Sequence, residues 1–328
     1  MSLLRNIFLR REAGIALMIV LFYLAVGLYK PQFLTPDYLR TILMFTPLLM
    51  IAAMGQMLVL VARHVDVSMG SILGLSAMVT GMMFRDVPEI PWFLGFLVAI
   101  GTGALLGLLN GTLVTVFKLP AIIVTLGTLN LYRGLTFIVS DARQVDRQYI
   151  PTALKAMSQP SPIFGIPLII FVAFAVAILA YFFTMHTRVG RQIFALGSNP
   201  VAAPLRGIKV TQLTLLVFTI SGALAGLAGI MYASRWGFVN PSNTGYGFEF
   251  QVIAAVVIGG VSINGGVGSV LGVALGVLLL GCVSAALPLL GIPGAAQNAI
   301  YGSVILVALL IDRSVRQQGI ASLQRVRA

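Results

Sequence analysis

The chain has 328 residues, of which 59% are hydrophobic and only 9% are charged, whereas soluble domains average roughly 45–50% apolar and about 25% charged residues. A soluble protein of this composition would lack the polar side chains to cover its surface, so the composition predicts a membrane protein. The net charge of +12 does not indicate nucleic-acid binding, because the cations lie singly or in pairs at the ends of apolar runs and not on one basic face.

About ten apolar runs approach the roughly 20 residues that a helix needs to cross a membrane. In chain order they cover 13–28, 39–62, 67–84, 92–117, 120–139, 163–184, 213–233, 250–263, 268–287 and 295–311, the eighth being short. The first is interpreted as an uncleaved helix, although Ala25-Val-Gly27 resembles a signal-peptidase site. The sequence therefore predicts an all-α, polytopic membrane protein in which residues 1–328 form a single domain.

The distribution of charge predicts the orientation. With ten spans and the N-terminus in the cytoplasm, thirteen cations fall on the cytoplasmic side and seven on the outer side, which leaves Arg133 within a span. Positively charged residues favour the cytoplasmic side of membrane proteins. Both termini are therefore expected in the cytoplasm, together with the stretch 187–210.

Residues 187–210, called the basic segment below, separate two long apolar runs and contain Arg188, Arg191, Arg206 and Lys209 but no acid. Asn199 followed by Pro200 predicts a helix start, since Asn caps free N–H groups and Pro suits the first helical position. Pro204 should break the turn and Gly207 should end it. A simple linker between two spans does not require a helical turn with a defined start and end. We therefore expect another protein to contact this turn.

Glycine recurs every four residues in three of the predicted spans. Such stripes let helix backbones approach closely in lipid, and helix packing is the simplest interpretation of each of them. The glycines are Gly103, Gly107 and Gly111, then Gly222 and Gly226, then Gly268, Gly272 and Gly276.

Several kinds of functional group are missing from the sequence. All nine acids, His64 and His186 fall at span ends or in loops, whereas ion-coupled carriers usually need such groups within the membrane. Arg133 is the exception, and snorkelling to the interface would explain it as well as a function would. Cys282 is the single cysteine, and no metal cluster, nucleophile–base pair or phosphate loop is present. We therefore expect no enzyme activity, metal or cofactor.

Five motifs in a fixed order carry a family resemblance between about residues 48 and 311. They are His64-Val-Asp-Val-Ser-Met-Gly-Ser71, Gly107-Leu-Leu-Asn-Gly111, Leu119-Pro-Ala-Ile-Ile-Val-Thr-Leu-Gly-Thr128 with Tyr132-Arg-Gly134, Gly190-Arg-Gln-Ile-Phe-Ala-Leu-Gly197, and Ile253-Ala-Ala-Val-Val-Ile-Gly-Gly260 leading into Gly265-Gly-Val-Gly-Ser269. The chain resembles the permease subunit of bacterial ATP-binding cassette (ABC) importers for monosaccharides, which include ribose, xylose, arabinose, rhamnose and autoinducer-2 permeases.

The resemblance implies a permease in the bacterial inner membrane that works with other proteins. The expected partners are a cytoplasmic ABC ATPase, a second permease copy or paralogue, and a periplasmic sugar-binding protein. The basic segment would be the coupling segment that docks on the ATPase through Asn199, Ala202, Ala203, Arg206 and Gly207. Two residues depart from the family pattern, Pro204 within this turn and Gln251 where an acid is common.

Uncharged polar residues on apolar spans are the candidates for lining the transport path. They are Asn110, Thr125, Thr128, Asn130 and Ser221. Such groups exchange hydrogen bonds with a hydroxylated solute without a buried charge. The competing interpretation is that each one bonds a neighbouring helix.

Three arginines on the predicted outer side are candidates for docking the binding protein. Arg143 and Arg147 lie in the polar loop 141–162, and Arg235 precedes Trp236. Cations on this side run against the usual preference, although solvated surface charges would explain them. Opposite charges would steer the encounter of the two proteins. Because Asp141 and Asp146 could neutralise their neighbours, Arg235 is the favoured candidate.

Two other functions remain open at this stage. A branched-chain amino-acid ABC permease differs in substrate, and an ion-coupled secondary carrier differs in mechanism. The sequence does not identify the sugar, nor does it distinguish a homodimer of permeases from a heterodimer.

Overall fold

The computed structural model describes residues 11–161, 165–293, 296–303 and 306. Within these residues the regular structure is helical, and the extended pairing is one isolated antiparallel bridge between Val145 and Val239. The predicted all-α class is confirmed for this part of the chain.

The helices follow the predicted apolar runs closely. In chain order they are α1 (Arg11–Tyr29), a 3₁₀ turn (Pro31–Leu34), α2 (Pro36–Val61), α3 (Met69–Asp86), α4 (Leu94–Val116), α5 (Ala121–Ser140), α6 (Thr152–Ala156), α7 (Leu168–His186), α8 (Arg188–Ser198), α9 (Ala202–Leu205), α10 (Val210–Trp236), α11 (Phe248–Ile258) and α12 (Val270–Leu289). Residues 296–303 are also helical.

Seven of the described helices are long and apolar enough to cross a membrane, namely α1, α2, α4, α5, α7, α10 and α12. Helix α3 misses this group because its 18 residues include Arg85 and Asp86. The eighth predicted span is short, as expected, since the 11 residues of α11 cover about 16 Å of a core about 30 Å thick. About half of the tenth predicted span, 295–311, lies outside the described residues.

The glycine stripes lie where helices meet, as predicted. On α4, a Cβ on Gly103 would collide with Gly222 of α10, and a Cβ on Gly107 would collide with the carbonyl of Phe218. On α12, Gly272 and Gly276 lie equally close to the backbone of α11 and its C-terminal cap. Backbones therefore approach to contact at both crossings, which only glycine permits.

Helix α2 contains a proline, and neighbouring side chains bond the carbonyl groups beside it. Pro47 has no N–H to donate to the carbonyl of Leu43. The hydroxyl of Thr46 donates to that carbonyl at 2.9 Å, and Arg235 donates from α10 to the carbonyl of Met44. The interruption of α2 is thus stabilised from within the chain.

Two loops join on the side of the molecule opposite the basic segment, called the polar-loop side below. Val145 and Val239 exchange backbone hydrogen bonds of 2.9 and 3.0 Å. Ser234 of α10 donates to the carbonyl of Leu154 at 2.7 Å, and its oxygen lies 2.8 Å from that of Ser158. The loop that follows α5 is therefore fastened to the end of α10.

Candidate functional site

Helix α8 fixes the basic segment to the body of the protein. The hydroxyl of Thr187 accepts from the N–H of Gly190 at 2.9 Å and so caps the helix. Ile193 and Leu196 are buried, while Gly197 lies directly against the carbonyl of Val61 at the end of α2. A movement of α8 must therefore move α2 or break this contact.

The turn after α8 has the predicted cap and stop. The Asn199 side-chain oxygen accepts from the N–H groups of Val201 and Ala202 at 3.2 and 3.0 Å. Gly207 has a φ of +75°, a conformation that glycine adopts without strain. Pro204 lies inside the four-residue helix α9, so it shortens the helix but does not prevent it.

The exposed residues of this turn overlap only in part with those predicted to contact the ATPase. Asn199, Arg206 and Gly207 are exposed. Ala203 is buried, with 3% of its surface exposed, so direct contact with a partner does not fit this residue. The sequence analysis missed Val201 and Leu205, which are 79% and 86% exposed. Their apolar character, four residues apart in a surface turn, was the signal that could have found them.

A chain of hydrogen bonds runs through the middle of the protein, from the buried residues Asp66 and Ser68 to helices α4 and α5. Ser68 donates to one oxygen of Asp66 through its N–H at 2.8 Å and its hydroxyl at 2.6 Å. Asn110 donates to the Ser68 hydroxyl at 2.8 Å, and the Tyr132 hydroxyl lies 2.9 Å from its acceptor on Asn110. The second Asp66 oxygen has no hydrogen-bond partner among the described residues.

A second contact holds the segment 240–249, which leads into α11. Arg133 donates to the carbonyl of Thr244 at 2.7 Å and lies 5.8 Å from the ring of Tyr246. Glu249 is only 5% exposed, and Gly70 packs against both Glu249 and Gly245. Arg133 therefore binds this segment in preference to snorkelling.

These contacts correct the prediction about acids. Asp66 and Glu249 lie in loops or at a helix start by sequence, yet both are buried. Both flank the start of α3, because Asp66 bonds Ser68 and Glu249 touches Gly70. A carboxylate near the N-terminus of a helix interacts favourably with its dipole. A structural role therefore accounts for both groups.

The predicted path residues fall into two groups in the described structure, four that are buried and one that is exposed. Asn110, Thr125, Thr128 and Ser221 are buried. Thr125 donates to the carbonyl of Ala121 in its own helix at 2.9 Å and lies 3.3 Å from the carbonyl of Val65 before α3, and Ser221 packs against Gly55 of α2. For these residues the structure favours bonding or packing between neighbouring helices.

Asn130 alone of the predicted path residues is exposed on the surface of the subunit. Its side-chain nitrogen donates to the carbonyl of Leu126 at 3.1 Å. Gly127 and Gly134 lie on the same exposed face of α5, and a Cβ on either would meet nothing within 4 Å. This face, called the α5 face below, is open and carries a polar amide on a membrane span.

Arg235 is not free to bind another protein. Besides its bond to Met44, its guanidinium lies 5.0 Å from the ring of Phe45 and 4.8 Å from that of Trp236. The preference for Arg235 as a docking residue is therefore corrected, because its charge is used within the chain. Arg143 and Arg147 are both exposed.

A cleft of about 570 Å³ opens on the polar-loop side between the ends of α3 and α5 and the loop after α5. Hydrogen-bonding groups dominate its lining, which includes Arg85, Asp141, Arg143, Gln144, Asp146 and Tyr149. Arg85 donates to Asp86 at 2.7 Å, and this hydrogen bond lowers the pKa of the Asp86 carboxyl.

A neighbouring cleft of about 620 Å³ shares part of this wall and adds Arg147, Gln148 and Lys155. The sequence analysis did not identify either cleft.

Comparisons with known proteins agree on the family. Residues 38–309 match the family described as branched-chain amino acid transport system / permease component. Three similar proteins are named autoinducer 2 import system permease protein LsrC. The protein of Enterobacter sp. (strain 638) is 37% identical over 96% of this chain and 89% of its own length. That of Escherichia coli O9:H4 (strain HS) is 37% identical over 93% and 88%, and that of Salmonella typhi is 35% identical over 93% and 86%. No solved structure matches the chain.

The chain therefore belongs to this permease family and is a transporter subunit, a multi-pass protein of the inner membrane. The resemblance to monosaccharide ABC permeases is confirmed by these relatives, and the branched-chain amino-acid alternative is not favoured.

Proposed function

We propose that this permease forms the membrane path of an ABC importer for a small hydroxylated solute of the monosaccharide or autoinducer-2 class. It works with a cytoplasmic ABC ATPase, a periplasmic binding protein and a second permease copy or paralogue. The observation that carries the proposal is the 37% identity over 96% of the chain to a protein named as an autoinducer 2 import permease.

The proposed topology has ten spans with both termini in the cytoplasm. The excess of cations on the basic-segment side supports this orientation. In this arrangement the basic segment faces the cytoplasm, and the polar-loop side with its two clefts faces the periplasm.

The ATPase would bind the turn that contains α9. Val201 and Leu205 project from it with 79% and 86% of their surfaces exposed, and Arg206 lies beside them. Exposed apolar side chains next to a cation suit the centre of an interface, where burial of one Leu contributes roughly 1.5–3 kcal/mol. Asn199, Ala202 and Gly207 would shape the turn, and Ala203 would anchor it.

The solute would cross between two permease copies, along the α5 face. An amide facing lipid is unfavourable, and Asn130 lies exposed between Gly127 and Gly134 on this span. A second copy or a hydrated path beside it would remove that penalty. Asn110, Thr125, Thr128 and Ser221 would then support the path from inside each subunit.

The binding protein would dock beside Arg143 and Arg147 on the periplasmic side. Arg147 and Lys155 line the second cleft, which gives this surface a local excess of positive charge over Asp146. Acidic groups on a partner would be steered towards it.

Reconstitution tests the proposed function. The chain is assembled with its ATPase in proteoliposomes, and uptake is measured with purified binding protein loaded with autoinducer 2, D-ribose, L-rhamnose or L-leucine. We expect ATP-dependent uptake of a hydroxylated solute. Uptake of leucine alone would support the amino-acid alternative. Uptake by the chain without the ATPase, driven by an ion gradient, would establish a secondary carrier and contradict the proposal.

A further inference from the structure

We propose that the 570 Å³ cleft between α3, α5 and the loop after α5 is a receiving site, where a neutral hydroxylated solute first binds the permease. This inference rests on the proposed function, because it takes the polar-loop side to be the side from which solute arrives. It assigns a binding site on the permease itself, separate from the site in the binding protein.

The size of the cleft suits such a solute. Its volume of about 570 Å³ lies within the range of roughly 300–1,000 Å³ that is usual for small-molecule sites. A monosaccharide is smaller than the cleft, so waters would share it. One wall is firm, because Val145 is fully buried and exchanges two backbone hydrogen bonds with Val239.

The lining chemistry favours a neutral molecule with several hydroxyl groups. Arg85 and Arg143 supply donors, whereas Asp141 and Asp146 supply acceptors. The two signs balance, so the lining attracts neither anions nor cations strongly. Hydroxyl groups both donate and accept, which lets one small polyol use both kinds of partner.

Two of the lining groups, Gln144 and Asp146, are held in position by hydrogen bonds, and two others, Arg143 and Tyr149, are exposed. Gln144 donates to Asp146 at 2.8 Å and accepts from Asn240 at 3.0 Å. Arg143 donates no side-chain hydrogen bond to any other described residue, so its guanidinium is available to a ligand. Tyr149 adds an exposed aromatic ring to the lining, a surface on which the apolar side of a sugar ring can pack.

The cleft also lies at the polar-loop end of helix α5. Val139 and Ser140, in the last turn of α5, are part of its lining, and Asn130 lies ten residues earlier on the same helix. The second cleft, with Arg147 and Lys155, adjoins the first and remains free for the binding protein.

Protection from chemical labelling tests the site directly. Cys282→Ser removes the native thiol, and Val139→Cys places a reporter in the cleft without changing its polar lining. The purified chain in nanodiscs is treated with a membrane-impermeant maleimide at increasing concentrations of D-ribose. We expect D-ribose to slow labelling, with half-protection at millimolar concentration. Gln148→Cys, in the neighbouring cleft, should label at an unchanged rate.

A second substitution identifies the lining groups. Asp146→Asn, added to Val139→Cys, keeps the shape of the side chain but removes its charge. It should raise the D-ribose concentration for half-protection by roughly tenfold, as for loss of a hydrogen bond to a charged group. Equal protection by sodium phosphate or sodium chloride would show an ion site and overturn the proposal.

Three further outcomes would overturn the proposed receiving site. D-ribose could fail to slow labelling of Val139→Cys, it could slow labelling of Gln148→Cys equally, or Asp146→Asn could leave the protection unchanged. If Val139→Cys does not react, the cleft is closed to water and the proposal is wrong. If D-ribose protects but the assembled complex shows no ATP-driven uptake, the proposed function fails while the cleft stands. If the assembled complex takes up solute but D-ribose does not slow labelling, the proposed function stands while the receiving site in the cleft is wrong. If Asp146→Asn leaves protection unchanged but weakens association of the binding protein, the cleft is a protein-docking surface.

Discussion

Single charged residues in this protein are held by their own chain more often than their positions in the sequence suggest. Arg235 bonds the carbonyl of Met44 beside the proline of α2, and Arg133 bonds the carbonyl of Thr244. Both carbonyls need partners because they lie beside irregular backbone inside the protein. In contrast, Leu205 and Val201 are apolar residues left exposed on the surface. At the residue scale, contacts within the chain thus separate structural residues from those available to partners.

Arg235→Met should therefore lower the stability of the subunit. The variant loses the hydrogen bond to Met44 and the cation–aromatic contacts, which together contribute about 1–3 kcal/mol. We expect a lower thermal unfolding midpoint in detergent. Arg143→Met is the control, because Arg143 is exposed, and its midpoint should not change. An unchanged midpoint for Arg235→Met, with a slower association of the binding protein, would restore the docking role.

Leu205→Ser should weaken the proposed contact with the ATPase. Loss of one buried Leu from an interface costs roughly 1.5–3 kcal/mol, or about ten- to 150-fold in affinity. The measurement is binding of purified ATPase to the permease in nanodiscs, together with ATP-driven uptake. Leu119→Ser, an exposed Leu outside the basic segment, is the matched control. Normal binding and uptake by the Leu205 variant would exclude this turn as the contact.

Helix packing and two breaks in regular structure shape the protein at the scale of elements. The glycines of α4 and α10 bring two long spans into backbone contact. The segments 62–68 and 240–247 are irregular and partly buried, and they meet Tyr132 and Arg133 in the middle of the α5 span through Asn110 and Thr244. Irregular backbone at membrane depth is stable only where protein or water satisfies its polar groups. Two consecutive residues of α5, Tyr132 and Arg133, thus hold both irregular segments in place.

Gly107→Ala should disrupt the crossing of α4 and α10. A Cβ at this position collides with the Phe218 carbonyl, and overpacking of this kind costs about 1–3 kcal/mol. Gly101→Ala lies on the same helix, where a Cβ meets nothing within 4 Å, and its higher helix propensity should leave stability unchanged or slightly raised. Thermal unfolding of both variants checks the comparison. Equal midpoints would mean that the crossing is looser than described.

At the scale of the whole molecule, the described residues of one subunit place the predicted path residues in different surroundings. Most of the predicted path residues are buried among helices, and the polar group on the surface is Asn130 on the α5 face. In the proposed arrangement, the path forms where a second permease copy packs beside the α5 face, and solute enters from the polar-loop side.

Cysteine labelling of the assembled importer tests this arrangement. In the Cys282→Ser background, we expect Asn130→Cys to react with small water-soluble thiol reagents during turnover, because it lines a hydrated path. Ser221→Cys, fully buried between α2 and α10, should stay unlabelled under the same conditions. Labelling of Ser221→Cys with protection of Asn130→Cys would reverse the assignment and place the path inside the subunit.

The sequence by itself determined the membrane class, most helix positions, the close helix crossings at glycine and the capped turn after Asn199. These features depend on local properties, such as hydrophobic length, backbone freedom and capping, that adjacent residues already specify. Tertiary structure decided which polar residues are bound within the chain and which remain exposed for partners. The burial of Asp66 and Glu249, the use of Arg235 within the chain and the inward packing of Ala203 all involve residues distant in sequence. The cleft on the polar-loop side likewise forms only when α3, α5 and the following loop meet, and one sequence carries no local signal of such contacts.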